Sequence, residues 1–97
     1  MKTEIEARDQ IKELRARIDE IDGELVRLLN RRAELVQGIG AAKHSAGLDV
    51  FDNSREENVF RNVQSHNRGP LPEQALRAVY EHGIIPVMRS IQKSTRE

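Results

Sequence analysis

The stretch RDQIKELRARIDEIDGELVRLLNRRAELVQGIGAAKH, residues 8–44, decides the fold. Ile11, Leu14, Ile18, Ile21, Leu25 and Leu28 recur at spacings of three and four; the series skips a beat at Arg32 and resumes with Leu35 and Ile39. That is the period of a helix burying one stripe, close to a heptad seam. No proline interrupts it, and Glu, Arg, Lys and Leu favour helix throughout. At 1.5 Å per residue, roughly 37 residues make a rod of about 55 Å. A compact chain of this size has a radius of gyration near 13 Å. The rod outruns what its own chain can cover, and a second copy is the simplest cover. The expectation is an all-α fold, one domain over residues 1–97, with one long, one short and one medium helix in an intertwined homodimer.

Composition sets the outer limits. Of 97 residues, 33% are charged and 3% aromatic, so one chain buries only a modest core. The formal net charge is zero, which gives no overall basic field for nucleic acid and no acidic tail. There is no cysteine, hence no disulfide framework and no thiolate chemistry. Met1-Lys2-Thr3-Glu4 has no apolar core and does not read as a signal peptide. No apolar run approaches a membrane span. A cytoplasmic protein that binds neither nucleic acid nor membrane is expected.

Along the chain, Thr3 and Glu6 form a possible capping box ahead of the long helix, whose first turn frays or extends it. Gly23, Gly38 and Gly40 each cost roughly 1 kcal/mol against Ala in a helix interior. They are tolerated weakness, or Gly38 and Gly40 admit a close approach to the backbone. The helix stops near Ser45-Ala46-Gly47, with Gly47 suited to a C-terminal cap. Asp52, Asn53 and Ser54 are all N-cap types, and Ser54 with Glu57 fits a capping box. A second helix runs to about Ser65 and buries Val59, Phe60 and Val63. Asn67-Arg68-Gly69-Pro70 is a turn, and Pro72 at a first helical position starts the third helix. Its apolar positions are Ala75, Leu76, Val79, Tyr80, Ile84, Val87, Met88 and Ile91. Pro86 removes an amide donor and presses on the carbonyl of His82, so a kink or bulge belongs there. The tail from Lys93 is polar and reads as loose.

Arg32 is the residue out of place, a charge where the seam wants an apolar side chain. Buried charge needs a partner or a ligand, so Arg32 is a structural salt bridge or an anion site. Lys43 lies eleven residues on, close to three turns, and shares its face. Two long cationic side chains about 16 Å apart at their roots can grip one small molecule. Arg55 and Glu56 stand at the start of the second helix, whose free amides favour anions. Arg15 is about 25 Å from Arg32 by helical rise; in an antiparallel dimer of long helices it reaches the other subunit's site. His44, His66 and His82 are scattered without metal-ligand spacing and read as solvated surface. No nucleophile elbow, glycine-rich phosphate loop or redox pair is present. Several cations with one carboxylate and one amide suit a dianion, and a chemistry of placement and charge stabilisation.

Five pieces of the chain, in order, resemble one family. They are Leu14-Arg15-Ala16-Arg17-Ile18-Asp19-Glu20-Ile21-Asp22; Leu28-Leu29-Asn30-Arg31-Arg32-Ala33-Glu34-Leu35; Ile39-Gly40-Ala41-Ala42-Lys43; Val50-Phe51-Asp52-Asn53-Ser54-Arg55-Glu56-Glu57; and Asn67-Arg68-Gly69-Pro70-Leu71. The fourth resembles a D-P-x-R-E-E element with Asn53 in place of proline; the fifth resembles an N-x-G-P-L turn. The chain, from about Ile11 to Gln92, resembles the small all-helical chorismate mutases, especially the mutase domain fused to prephenate dehydratase in many bacteria. The resemblance implies a Claisen rearrangement of chorismate to prephenate in aromatic amino-acid biosynthesis, without cofactor or metal. It implies that Arg32 and the partner subunit's Arg15 bind the substrate carboxylates. Lys43 binds a carboxylate and, with Gln92, the ether oxygen. Asp52 and Glu56 hold the ring-hydroxyl region, with Arg55 in an accessory role.

The third helix departs from the family pattern F-R-E-I-I-S-A-S-R-x-L-Q. Tyr80 to Gln92 reads one residue longer, with Gly83 and Pro86 inside. Met88 falls where a serine often meets substrate; it is core packing or a site-facing replacement. Two other functions fit the same residues. One is an isochorismate–pyruvate lyase on the same scaffold, which Glu56 after Arg55 disfavours. The other is a non-catalytic helical module for dimerisation or regulation.

Overall fold

A computed structural model describes residues 1 and 3–96; Lys2 and Glu97 lie outside the described residues, and side chains are described through Ser94. The described chain is helical throughout its ordered elements, with no strand among the described residues. Helix α1 spans Glu4–Ala46, α2 Asn53–Ser65, α3 Glu73–Val79 and α4 Ile85–Arg96, with a π-helical turn, Tyr80–Ile84, joining the last two into one third helix.

The stops and starts follow from local chemistry. At the N-terminus the Thr3 hydroxyl accepts from the Glu6 N–H at 3.1 Å, a capping bond ahead of a helix that starts at Glu4. At the other end Gly47 takes φ +70°, its N–H reaches the His44 carbonyl at 3.2 Å and the Leu48 N–H reaches Lys43 O at 2.8 Å. This is a Schellman motif, and glycine is the residue that enters that conformation without a Cβ penalty. Asp52, rather than Ser54, caps α2: its Oδ1 accepts from the Arg55 N–H at 3.2 Å and from Ser54 Oγ at 2.7 Å. The expected Ser54–Glu57 capping box is therefore not the one used. Pro72 is likewise the N-cap of α3 and not its first helical residue. Gly69-Pro70 is a cis peptide in the turn between α2 and α3, where the Asn67 side chain bonds Leu71 O at 3.0 Å and accepts from the Gly69 N–H at 3.0 Å. The tail expected to be loose from Lys93 continues as helix through Arg96.

The chain divides into two units, Met1–Arg32 and Ala33–Glu97. The first is helix alone. Its apolar stripe stands open, with Ile18 and Ile21 each 54% exposed and Leu28 62%. The second holds the core. Val36 from α1, Val59 and Phe60 from α2 and Met88 from α4 are its buried apolar side chains, with Gly40 buried beside them. The face of α1 that packs in this unit is thus Val36 and Gly40, one position round from the expected seam residues Leu35 and Ile39, which are exposed. Gly40 is buried, whereas Gly38, the other glycine considered for a close approach, faces open space. Val63 is half-buried as the third member of the α2 face. Val79 and Val87, expected on the apolar face of the third helix, are more than half exposed.

The π turn is the kink that Pro86 demands. Proline cannot donate to the His82 carbonyl, and its ring crowds that oxygen. The turn before it widens, and the Ile85 N–H bonds Tyr80 O, five residues back. A π turn accommodates one extra residue while the helix on each side keeps its face.

Candidate active site

The second unit gathers polar side chains from α1, α2 and α4 into one cluster. Lys43, in the last turn of α1, is its centre. A cation is favoured there by the free carbonyls of the helix end. The Schellman turn sends the chain back along the helix, so the Val50 carbonyl accepts from Lys43 Nζ at 2.9 Å. From α4, Gln92 Oε1 accepts from the same Nζ at 3.1 Å. Both Lys43 and Gln92 are half-buried. An ammonium has three donors and no acceptor. Among the described residues two acceptors take these donors, Val50 O and Gln92 Oε1. The same logic orients the amide: Oε1 faces Lys43, so the Gln92 Nε2 donors face away from it.

The π turn is what delivers Gln92 here. A π turn holds one residue more than an α turn, and this one is complete before α4 begins. Gln92 then reaches a lysine 49 residues earlier in the chain.

Beside this pair, Glu56 on α2 is half-buried and ion-paired to Arg89 on α4 through Oε1. The Arg89 guanidinium lies 4.9 Å from the centroid of the Phe51 ring. Asp52 stands at the α2 N-terminus, with the two capping bonds already described. The Ser54 hydroxyl and then the Arg55 amide hold its carboxyl below the ordinary 3.8, and the Lys43 charge lowers it further. Arg55 is exposed at the first turn of α2. Met88, one residue before Arg89, is 6% exposed in the core, which favours the packing alternative for that side chain.

Arg15 and Arg32 belong to the first unit. Arg15 is exposed and Arg32 half-buried. Among the described residues neither forms an ion pair.

Sequence reasoning missed three participants: Arg89, Phe51 and the Val50 carbonyl. Arg89 had a signal. It lies three residues before Gln92, on the same helical face, and matches the arginine of the S-R-x-L-Q pattern. The roles of Phe51 and Val50 depend on how the loop returns, which no local spacing encodes.

Among the described residues no three His, Asp or Glu side chains are grouped to hold a metal ion. No helix is long and apolar enough to cross a membrane. A lysine ammonium bonded to a glutamine amide, with a carboxylate–guanidinium pair also built on α4, is chemistry suited to a small anionic ligand.

A family model described as chorismate mutase type II matches residues 14–93, a span that contains every residue of the cluster. The chain belongs to the chorismate mutase type II family. A bifunctional chorismate mutase/prephenate dehydratase of Aquifex aeolicus is 37% identical over 92 residues, covering 91% of this chain and 25% of that protein. A protein of the same description from Neisseria gonorrhoeae is 40% identical over 63 residues, 65% of this chain and 17% of its own length. The chain thus spans about a quarter or less of these two relatives. The solved structure of chorismate mutase (form II) from Thermus thermophilus superposes with a TM-score of 0.83 at 31% identity, over 87% of this chain and 94% of that one. The all-helical fold of a chorismate mutase type II member is thereby established for this chain.

Proposed function

We propose that this chain is a chorismate mutase, an isomerase that converts chorismate to prephenate. The observation that supports the reading is the Lys43–Gln92 hydrogen bond, which joins two donor-bearing side chains 49 residues apart. In the rearrangement the ether C–O bond breaks as a C–C bond forms across a six-membered ring of reacting atoms. No atom enters or leaves, and no proton needs to move. The enzyme must hold the substrate coiled, with the reacting carbons in contact. It must also meet negative charge growing on the ether oxygen with donors already in place. Lys43 and Gln92 are those donors. Arg32 and the partner subunit's Arg15 bind the two carboxylates, while Asp52 and Glu56 face the ring hydroxyl, with Arg55 nearby. The site works by binding the transition state better than the relaxed dianion.

The active form in this reading is a cytoplasmic homodimer. The open stripe on Met1–Arg32 and the thin core of the second unit support it, since a second copy covers both deficits. The test is direct. Purified chain is incubated with chorismate and the products are identified. Prephenate is expected, from a species that sediments as a dimer. Pyruvate from isochorismate with no prephenate from chorismate assigns the chain to the lyase; a dimer inactive on both substrates is a non-catalytic module.

A further inference from the structure

Arg89 is the one charged side chain at the cluster to which the proposed function gives no task. Its surroundings are specific. The guanidinium is stacked over Phe51 at 4.9 Å from the ring centroid and pairs with Oε1 of Glu56. The Arg89 and Glu56 side chains are 37% and 28% exposed, so the pair sits at the edge of the protein interior and not in open solvent. A planar fork held on an aromatic face and on a carboxylate has little rotational freedom left.

Glu56 presents a difficulty that Arg89 resolves. The substrate class is a dianion, and an unaccompanied carboxylate in its site repels it. The ring hydroxyl, on the other hand, is a donor that needs an ionised carboxylate as acceptor. Both demands are met if a fixed cation screens the carboxylate from behind and takes one oxygen. The pair uses Oε1, which leaves Oε2 for the hydroxyl. Gln92, three residues after Arg89, lies on the same face of α4. One helical turn therefore carries both the amide for the ether oxygen and the cation that governs the carboxylate.

We propose that Arg89 is a positioning residue that screens and aims Glu56, and so governs recognition of the substrate's ring hydroxyl. The inference rests on the mutase reading. A role confined to stability is the competing account, and a partly exposed ion pair of that kind contributes little to folding.

The test is a cycle in the full chain: Arg89→Met, which keeps an apolar stem over Phe51; Arg89→Lys, which keeps a charge; Glu56→Gln; and the double variant Arg89→Met/Glu56→Gln. For each, kcat and KM for chorismate are measured with the thermal midpoint. Arg89→Met is expected to lower kcat/KM roughly ten- to a hundredfold, the worth of a charge-assisted hydrogen bond, with most of the effect in KM and little change in midpoint. Lysine is expected to restore part of it. In the Glu56→Gln background the same substitution is expected to change kcat/KM by less than about threefold, because the interaction it served is gone. An undiminished loss in that background overturns the proposal, since Arg89 then acts on its own. So does an Arg89→Met enzyme with wild-type kcat/KM. A wild-type chain that turns over no chorismate instead removes the mutase reading, and this proposal with it.

Discussion

Replacement of Gln92 by glutamate exposes the logic of the site in one substitution. In the wild type Lys43 takes Gln92 Oε1 at 3.1 Å, and the amide nitrogen is the donor left for the ether oxygen. Gln92→Glu preserves shape and the contact to Lys43 but replaces the NH2 by a second acceptor at neutral pH. Losing one preplaced donor to a developing oxyanion costs about 2.7–4 kcal/mol, or 10²- to 10³-fold. An independent estimate agrees. A glutamic acid of ordinary pKa near 4.3 is protonated in roughly one molecule in 500 at pH 7, and only that form has an O–H to donate. The Lys43 charge favours the ionised form and makes the protonated fraction smaller still. The expected result is a kcat/KM reduced by about 10²- to 10³-fold at pH 7, recovering nearly tenfold per unit as pH falls to about 5. Gln92→Met, with no donor at any pH, serves as the reference and stays low throughout. The assay is loss of chorismate absorbance across that pH range, corrected for the uncatalysed reaction. A Gln92→Glu enzyme within about threefold of wild type at pH 7, or one whose deficit is flat with pH, refutes the assignment of the Gln92 amide as donor.

Arg32→Ala is expected to abolish measurable turnover while circular dichroism and sedimentation remain those of wild type; an unfolded or monomeric variant shows instead that Arg32 is structural. Mixing Arg15→Ala and Arg32→Ala chains tests the shared site, because a hybrid dimer regains one intact site of two, and no recovered activity means each site is built within one chain. Gly38 faces open space on α1, so Gly38→Ala should stabilise the chain by about 1 kcal/mol in chemical denaturation, and a lowered midpoint contradicts the packing described for that face. Asp52 carries the pH-dependent cap of α2. Its folded pKa lies below 3.8, so its contribution is full above that value and is lost as pH falls through the depressed pKa. The thermal midpoints of wild type and Asp52→Asn should therefore draw together only below pH 3.8, and a constant difference from pH 7 to 3 excludes an ionised cap.

The parts of the fold written in local chemistry were readable in the sequence. The uninterrupted helix to Ala46, the glycine stop at Gly47, the buried Val59 and Phe60 and the disturbance before Pro86 each rest on neighbours a few residues apart. Three features were not readable, each for a physical reason. Asp52, Asn53 and Ser54 are equivalent candidates to cap α2, and how the incoming loop meets the helix decides among them. The seam of apolar residues on α1 marks a face for covering, yet the α1 residues buried in the unit are the adjacent Val36 and Gly40. The Glu56–Arg89 pair joins residues 33 apart, and nothing in either local sequence announces the other. Of the candidate site residues, Lys43 and Gln92 come into contact, Glu56 acquires an unforeseen partner, and Arg15 and Arg32 lie in the first unit.

The π turn also limits how this gene can change. A deletion in most of the third helix rotates everything after it by about 100° and swings Gln92 off its face. A single-residue deletion within Tyr80–Ile84 is the exception, because the widened turn relaxes to ordinary α geometry with Gln92 still facing Lys43. That repair leaves Pro86 inside a regular helix, at a cost of about 3 kcal/mol. Bulge and proline are therefore gained or lost together, and a lineage shedding the extra residue should shed Pro86 with it.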